Sequence, residues 1–467
     1  MPGGGHHGLW AEGPLGHAHP PVSGARRAGG SFQHHPVTLE SSILPDAFGR
    51  DAEGQLHCEG LRLSSLAQAH GTPLYVYSAR AIRQAYRAFA AAASAEQPLS
   101  VCYAVKANPT LGILKLLAQE GAGFDIVSEG ELFRVLKAGG QASQCVFSGV
   151  GKRDQELAEA LRAGVGCINV ESIDELHQLS AVASASGQRA PISIRVNPDI
   201  DPKTHPYIST GLKENKFGVP IGEALDAYRL AHTLPGLEIH GVDCHIGSQI
   251  TSLPPFLEAT ERVLAFVDTL AAEGIQIAHI DLGGGLGIRY HDESPPSATD
   301  LLEAVKASVA GWSKGRQQPV PRLVFEFGRA IVGQAGVLLT QVCFLKPGAS
   351  KNFAIIDAGM NDLMRPALYE AWHEVFPVSS HSTAPTLQWD VVGPVCESGD
   401  WLARDRALSL VRGDLLVLAS AGAYGSSMAS NYNSRPRPAE ILIEEDGEVQ
   451  VIRARERLDD LIRGEPV

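Results

Sequence analysis

Between residues 99 and 326, short apolar or β-branched runs alternate with helical segments eight times, and this constrains the fold more than any other feature. The runs are 99–105, 123–127, 145–148, 167–170, 192–197, 238–245, 277–282 and 322–326. Helical patterns fill most of the gaps, among them 130–138, 154–163, 172–184, 221–233, 255–272 and 299–313. Ser78 can cap an alanine-rich helix reaching to about residue 94, ahead of the first run. Strands separated by helices are joined by crossovers, so their sheet is parallel. Eight such units over about 250 residues predict a (β/α)8 TIM barrel, with an open doubly wound sheet as the alternative.

Beyond residue 335 the period changes. Runs at 337–345, 353–357, 387–392, 407–411, 415–420, 439–444 and 448–452 are strand-like, with few long helical patterns between them. They predict an antiparallel β-sandwich or barrel. The segment 42–77, ending in Pro73-Leu74-Tyr75-Val76-Tyr77, is expected to join it. The expected organisation is a disordered tail over 1–40, a segment 41–77 joining the β domain, a barrel over 78–335 and a C-terminal β domain over 336–467. The tail holds nine glycines, five prolines and six of the 17 histidines, with no apolar period. His6-His7 and His34-His35 have no supporting ligands nearby, so no metal site is expected.

Composition narrows the function. With 39 basic against 52 acidic residues the net charge is −13, which disfavours nucleic acid and anionic membranes as partners. No apolar run reaches the roughly 18 residues of a membrane helix. Seven scattered cysteines form no C-x-x-C pair, which points to a reducing cytoplasm and against a disulfide framework.

Barrel enzymes carry their chemistry at the C-terminal ends of the strands. Here the first strand runs into Lys106, the sixth into His245-Ile246-Gly247-Ser248-Gln249, the seventh into Asp281-Leu282-Gly283-Gly284-Gly285-Leu286-Gly287, and the eighth into Glu326-Phe327-Gly328-Arg329. Taken singly, each has a plain reading: a lysine reaching solvent, a core histidine, a turn. The glycine run is no dinucleotide fingerprint, because Ile288 stands where G-x-G-x-x-G needs glycine. No P-loop, G-x-S-x-G or H-E-x-x-H occurs. Taken together, a lysine amine for an aldehyde, bare backbone for a phosphate and a carboxylate for a ring nitrogen describe a pyridoxal 5'-phosphate site.

The chain from about 45 to 455 resembles the fold-type III pyridoxal-phosphate decarboxylases. The resemblance rests on Tyr103-Ala104-Val105-Lys106-Ala107-Asn108, His205-Pro206-Tyr207-Ile208-Ser209-Thr210-Gly211 through Lys216-Phe217-Gly218, and His245-Ile246-Gly247-Ser248-Gln249. It continues in Gly283–Gly287, Met364-Arg365-Pro366-Ala367-Leu368-Tyr369, Gly393-Pro394-Val395-Cys396-Glu397-Ser398 and Gly422-Ala423-Tyr424-Gly425. It implies that Lys106 holds the cofactor covalently and His245 stacks on its ring. Ser248, Gly285 and the backbone near Phe327, Gly328 and Arg329 would take its phosphate, and Glu326 its ring nitrogen. Arg329, Arg365 and Tyr369 would grip the substrate's distal carboxylate and Glu397 its distal ammonium. Tyr424 would reach cofactor and substrate, and Cys396 would be the proton donor. The family usually has proline where Phe327 stands, so a shifted loop is expected.

The implied reaction is decarboxylation of meso-2,6-diaminopimelate at its D-centre to L-lysine and CO2, by a homodimer with shared active sites. Ornithine and arginine lack a distal carboxylate and would leave Arg365 and Tyr369 unused. A racemase would need two opposed bases. A non-catalytic regulatory relative would be expected to lose Lys106 or Cys396.

Overall fold

A computed structural model describes residues 39–201, 215–316 and 319–466. Most of the 1–40 tail, with its histidine pairs, and the His205–Gly211 motif lie outside the described residues.

The eight expected runs form eight strands: Leu99–Ala104, Gly123–Ile126, Cys145–Phe147, Cys167–Val170, Ala190–Asn197, Leu237–Asp243, His279–Asp281 and Arg322–Phe325. Each pairs in parallel with the next. The ring closes where Leu323, Val324 and Phe325 of the eighth strand face Leu99, Ser100 and Val101 of the first. The fold is therefore the closed barrel, and the open sheet is excluded.

Local chemistry explains the surrounding helices. Ser78 accepts a hydrogen bond from the amide of Ala81 and starts helix Ala79–Ala90, which buries Ile82, Tyr86 and Phe89 at helical spacing. This helix stops four residues before the expected end. Its amides give way to a turn in which Ser94 N donates to the Gln97 carbonyl. Helix Asp154–Ala163 has acidic residues in its first turn and Arg162 in its last. It ends at Gly164, whose φ of +77° is costly for any residue with a Cβ.

The second layer is a nine-stranded mixed sheet. Its central path runs Trp401–Ser409, Thr386–Val392, Phe353–Ile356, Gly336–Lys346, Leu74–Ser78, Ala439–Ile443, Val449–Arg453. Strand Leu415–Leu418 pairs with both Gly336–Lys346 and Val375–Pro377. Most pairs are antiparallel, as expected. Two are parallel: Phe353–Ile356 with Thr386–Val392, and Ala439–Ile443 with Leu74–Ser78. Neither of these pairs is joined by a short turn, so the hairpin rule that favours antiparallel neighbours does not apply. Strand Leu74–Ser78 lies between Gly336–Lys346 and Ala439–Ile443, and all five of its residues are buried. No helix among the described residues is long and apolar enough to cross a membrane.

Glu440 ties the sheet to the barrel. It is fully buried, and its carboxylate accepts from Tyr77 Oη at 2.6 Å, Thr110 Oγ1 at 3.2 Å and Arg453 Nε. A buried carboxylate with three donors is stabilising only as a complete set. Glu440→Ala is therefore expected to lower the unfolding free energy by about 2–4 kcal/mol in denaturant titration.

Candidate active site

The barrel interior carries polar residues within apolar strands: Asp125, Asn169, Ser193, Arg195, Asp243 and Asp281 are all buried. Asp243, Asp281 and Glu326 bring carboxylate oxygens within 4.8 Å of one another. Arg195 is the nearby cation, 2.9 Å from Glu171 and 4.0 Å from Asp243. Burial, then mutual repulsion, pushes the pKa of Asp243 and Glu326 well up; burial also raises that of Asp281. Ser148 Oγ and Asn169 Nδ2 each donate to Glu326 Oε1 at 3.4 Å.

Of these carboxylates, Glu326 lines a cavity of about 430 Å³ at the C-terminal ends of the strands. Lys106, His245, Ser248, Gly285, Glu326, Phe327, Gly328, Arg329, Arg365, Tyr369 and Tyr424 all line it. The structure thus gathers eleven of the thirteen sequence-predicted site residues. Cys396 and Glu397 are not among the lining residues and are exposed. The Cys396 amide donates to Asn433 Oδ1 at 2.8 Å, and Glu397 accepts from Tyr432 Oη at 2.5 Å.

Lys106 sits in the single turn Val105–Ala107 that follows the first strand. Its ammonium pairs with Asp125, and its side chain keeps 38% of its surface open. Burial works against the charge, but Asp125, Glu326 and Tyr424 outweigh it and raise the pKa. The turn is anchored from the β region: Tyr424 N donates to the Ala107 carbonyl at 2.8 Å, and Asn108 Nδ2 donates to the Gly422 carbonyl at 3.2 Å. Tyr424 itself adopts φ +56°, a left-handed conformation costly for a bulky side chain.

His245 accepts from the Gly284 amide through Nδ1 at 3.1 Å, which leaves a neutral ring its proton on Nε2. Burial, then the charges of Arg195 and Lys106, holds its pKa well below the ordinary value, so the ring is neutral. The loops after the seventh and eighth strands touch backbone to backbone. Glu326 N donates to the Gly283 carbonyl at 2.7 Å, and a Cβ at Gly284 would stand 2.1 Å from the Glu326 carbonyl oxygen. Gly285 has φ +99°, and a Cβ there would meet the Gly247 carbonyl oxygen at 2.2 Å. Bare backbone is obligatory at both positions. Phe327 stacks on Phe89 with ring centres 4.0 Å apart, and its carbonyl accepts from Ala104 N at 3.0 Å.

Arg329 and Arg365 are 6% and 5% exposed, and among the described residues neither has a carboxylate within ion-pair distance. Arg329 donates to Tyr290 Oη at 2.6 Å and Ser248 Oγ at 3.0 Å, while its Nε has no partner among the described residues. Arg365 lies 4.5 Å over the Tyr290 ring and meets His373 Nε2 at 2.8 Å. Tyr290, His373 and Asp125 were not anticipated. For Asp125 a signal existed, a lone acid between Phe124 and Ile126 near a strand end.

This barrel with a lysine, a carboxylate trio and a glycine-backed cradle at its mouth has the form of a cofactor-dependent lyase. Residues 80–333 match the pyridoxal-binding domain of the pyridoxal-dependent decarboxylases, and the chain belongs to that family. A diaminopimelate decarboxylase of Pseudomonas aeruginosa is 56% identical over 417 residues, 89% of this chain and 97% of the relative. One of Vibrio cholerae is 52% identical, over 89% of this chain and 98% of the relative. The crystal structure of diaminopimelate decarboxylase from Helicobacter pylori complexed with L-lysine superposes with a TM-score of 0.81 at 43% identity, covering 86% of this chain and 98% of that one.

The cofactor of the family is pyridoxal phosphate, and the residues present fit it. There is an amine on Lys106, a carboxyl on Glu326 and a neutral ring on His245. The Arg329 Nε, without a partner among the described residues, and the bare Gly285 backbone on the cavity wall supply an anion-seeking cradle.

A raised carboxyl pKa in the folded state means that the folded chain holds its proton more tightly than the unfolded chain does. Stability contributed by Asp281 and Glu326 is present at low pH and is lost as pH rises above the ordinary carboxyl range. The cofactor-free protein is therefore expected to show a falling thermal midpoint from weakly acidic to alkaline pH. Asp281→Asn should flatten that dependence in scanning calorimetry.

Proposed function

We propose that the chain removes the D-centre carboxylate of meso-2,6-diaminopimelate as CO2 and releases L-lysine, the last step of lysine formation. One observation carries this reading: two buried guanidiniums, Arg329 and Arg365, share a cavity with Lys106 and, among the described residues, have no carboxylate within ion-pair distance. A buried cation without a counter-charge is costly, and a substrate carboxylate remote from the reacting carbon supplies one. Ornithine and arginine carry none. Burial, followed by the nearby charge of Arg329, already lowers the pKa of Arg365, so an anion there relieves both.

Bound pyridoxal phosphate supplies the electron sink that accepts the electron pair left when CO2 departs. The chain's own residues do the rest. Lys106 would hold the cofactor, with Asp125 as the nearest carboxylate to take the ammonium proton. Glu326 would pair with the ring nitrogen and sustain its positive charge. His245, neutral, would pack on the ring, and Ser248, Gly285 and the backbone near Gly328 and Arg329 would take the phosphate. Arg365 and Tyr369, with Arg329, would orient the distal end, so that binding energy from an unreactive centre positions the reactive one. Supplied with pyridoxal phosphate, the protein should yield lysine from meso-diaminopimelate and no amine from ornithine or arginine. Arg365→Ala should lower kcat/KM about ten- to hundredfold, the loss of one charge-assisted pair. Unchanged diaminopimelate kinetics in that variant would remove the carboxylate-binding reading.

The proton that replaces the departing carboxylate would come from Cys396, and the contact to the distal ammonium from Glu397, both of a second copy in a homodimer with shared sites. Their exposure outside the cavity of their own chain supports this, as does the economy of a two-fold interface used twice. All seven cysteines are free, which supports a cytoplasmic location. Lys106→Ala and Cys396→Ala proteins should each be nearly inactive. After subunit exchange, half of a random mixture is heterodimer with one intact site in two, so activity should recover to about a quarter of wild type. Demonstrated exchange without recovery would place both residues in one chain.

A further inference from the structure

The two arginines differ in what holds them. Arg329 leans on hydroxyls. Arg365 is held by a histidine whose protonation its other contact dictates. His373 is fully buried, and its Nδ1 lies 2.8 Å from the Ala419 carbonyl. A carbonyl oxygen can only accept, so Nδ1 carries the proton. Nε2 is then a lone pair, and Arg365 Nη1 donates to it at 2.8 Å. The ring also stands edge-on to Tyr290, 5.2 Å between centres, and Tyr290 presents its face to Arg365. The backbone next to it is fixed as well: Arg406 donates to the His373 carbonyl at 3.3 Å and lies over Trp372, which lines the cavity.

We infer that His373 is a positioning residue for substrate choice: a neutral acceptor that aims the Arg365 guanidinium into the cavity without cancelling its charge. The inference rests on the reading that Arg365 takes the distal carboxylate. Its physical content is the choice of a neutral partner. Arginines are usually oriented by carboxylates, which form strong bidentate pairs. An aspartate or glutamate here would orient Arg365 equally well, but it would also neutralise it, and the substrate would have to compete with a built-in carboxylate. A histidine held as the Nδ1–H tautomer removes one donor from the guanidinium and leaves its full charge and the remaining donors for the ligand. Burial, then the charge of Arg365, holds the His373 pKa at about 3, so the acceptor stays neutral across the working pH range. The side chain is also the right length. It spans from a carbonyl of the β region to the arginine with one donor and one acceptor on opposite sides of a rigid ring.

The test compares His373→Leu, His373→Gln and His373→Glu in the cofactor-loaded enzyme. The ligands are L-lysine, which keeps the distal carboxylate, and cadaverine, which lacks it. Binding is read from the change in cofactor absorbance, with the thermal midpoint and cofactor content of each variant measured alongside. In His373→Leu, which loses the acceptor, affinity for L-lysine should fall about tenfold and KM for diaminopimelate should rise in step, with a smaller change in kcat. His373→Glu, which keeps an acceptor but adds a charge, should lose more than His373→Leu. His373→Gln, a neutral acceptor, should keep most of the preference for L-lysine over cadaverine. In none of the three should cadaverine binding change comparably.

Equal losses for both ligands, tracking the thermal midpoint, would mean that His373 is only structural. His373→Glu binding L-lysine as well as His373→Gln would overturn the neutral-acceptor argument. Arg365→Ala is run in parallel. If it leaves the preference for L-lysine intact, the carboxylate-binding reading itself fails. If it abolishes the preference while the His373 variants do not, only the present inference fails.

Discussion

The contact between the Lys106 turn and the loop carrying Tyr424 underlies the rest of the site. The Ala107 carbonyl and the Asn108 side chain each bond to that loop, one as acceptor and one as donor. Two groups that line one cavity are thereby fixed to each other by hydrogen bonds, although they belong to different layers of the fold. The non-glycine residue held at φ +56° shows that the surrounding packing imposes this geometry against local preference. A barrel alone would offer Lys106 and Glu326. It would not offer a wall on which Arg365, Tyr369 and Tyr424 converge.

Charge is divided between the barrel strand ends and the cavity wall, which Glu293 also lines. Carboxyls cluster where the barrel strands end, at Asp125, Asp243, Asp281 and Glu326, with Lys106 beside them. Among the described residues the guanidiniums of Arg329 and Arg365 have no carboxylate within ion-pair distance and are stabilised by tyrosine faces, hydroxyls and one imidazole. The division suits a ligand that carries positive character at one end and a carboxylate at the other. Keeping the two sets from neutralising each other requires neutral spacers. Tyr290 is one: its ring lies against Arg365 while its hydroxyl takes Arg329.

Much of this was legible in the chain, for identifiable reasons. Most barrel strands are largely buried on both faces and appear as short, mainly apolar runs, so all eight are legible. Lys106, the glycine run and Glu326–Arg329 were found because strand ends carry the chemistry in this fold. Strand Trp401–Ser409 begins six residues before the expected run at 407, because Arg404, Asp405 and Arg406 interrupt its apolar pattern and Asp405 takes a positive φ. Strand Val375–Pro377 is too short to register. His373 and Tyr290 had no sequence signal. They matter through whom they touch, and their partners lie at positions 365, 419 and 329, which no local period connects.

The position of Leu74–Ser78 has a consequence for the life of the polypeptide. This strand is synthesised ahead of the entire barrel, yet both of its neighbours, Gly336–Lys346 and Ala439–Ile443, come after it. Until the last of them emerges, a run of residues that the finished fold buries completely stands with at least one open edge. Such an edge is what chaperones hold and proteases seek. A chain broken off before Ala439 would keep that mark permanently, so incomplete copies are distinguishable from complete ones before any chemistry is attempted.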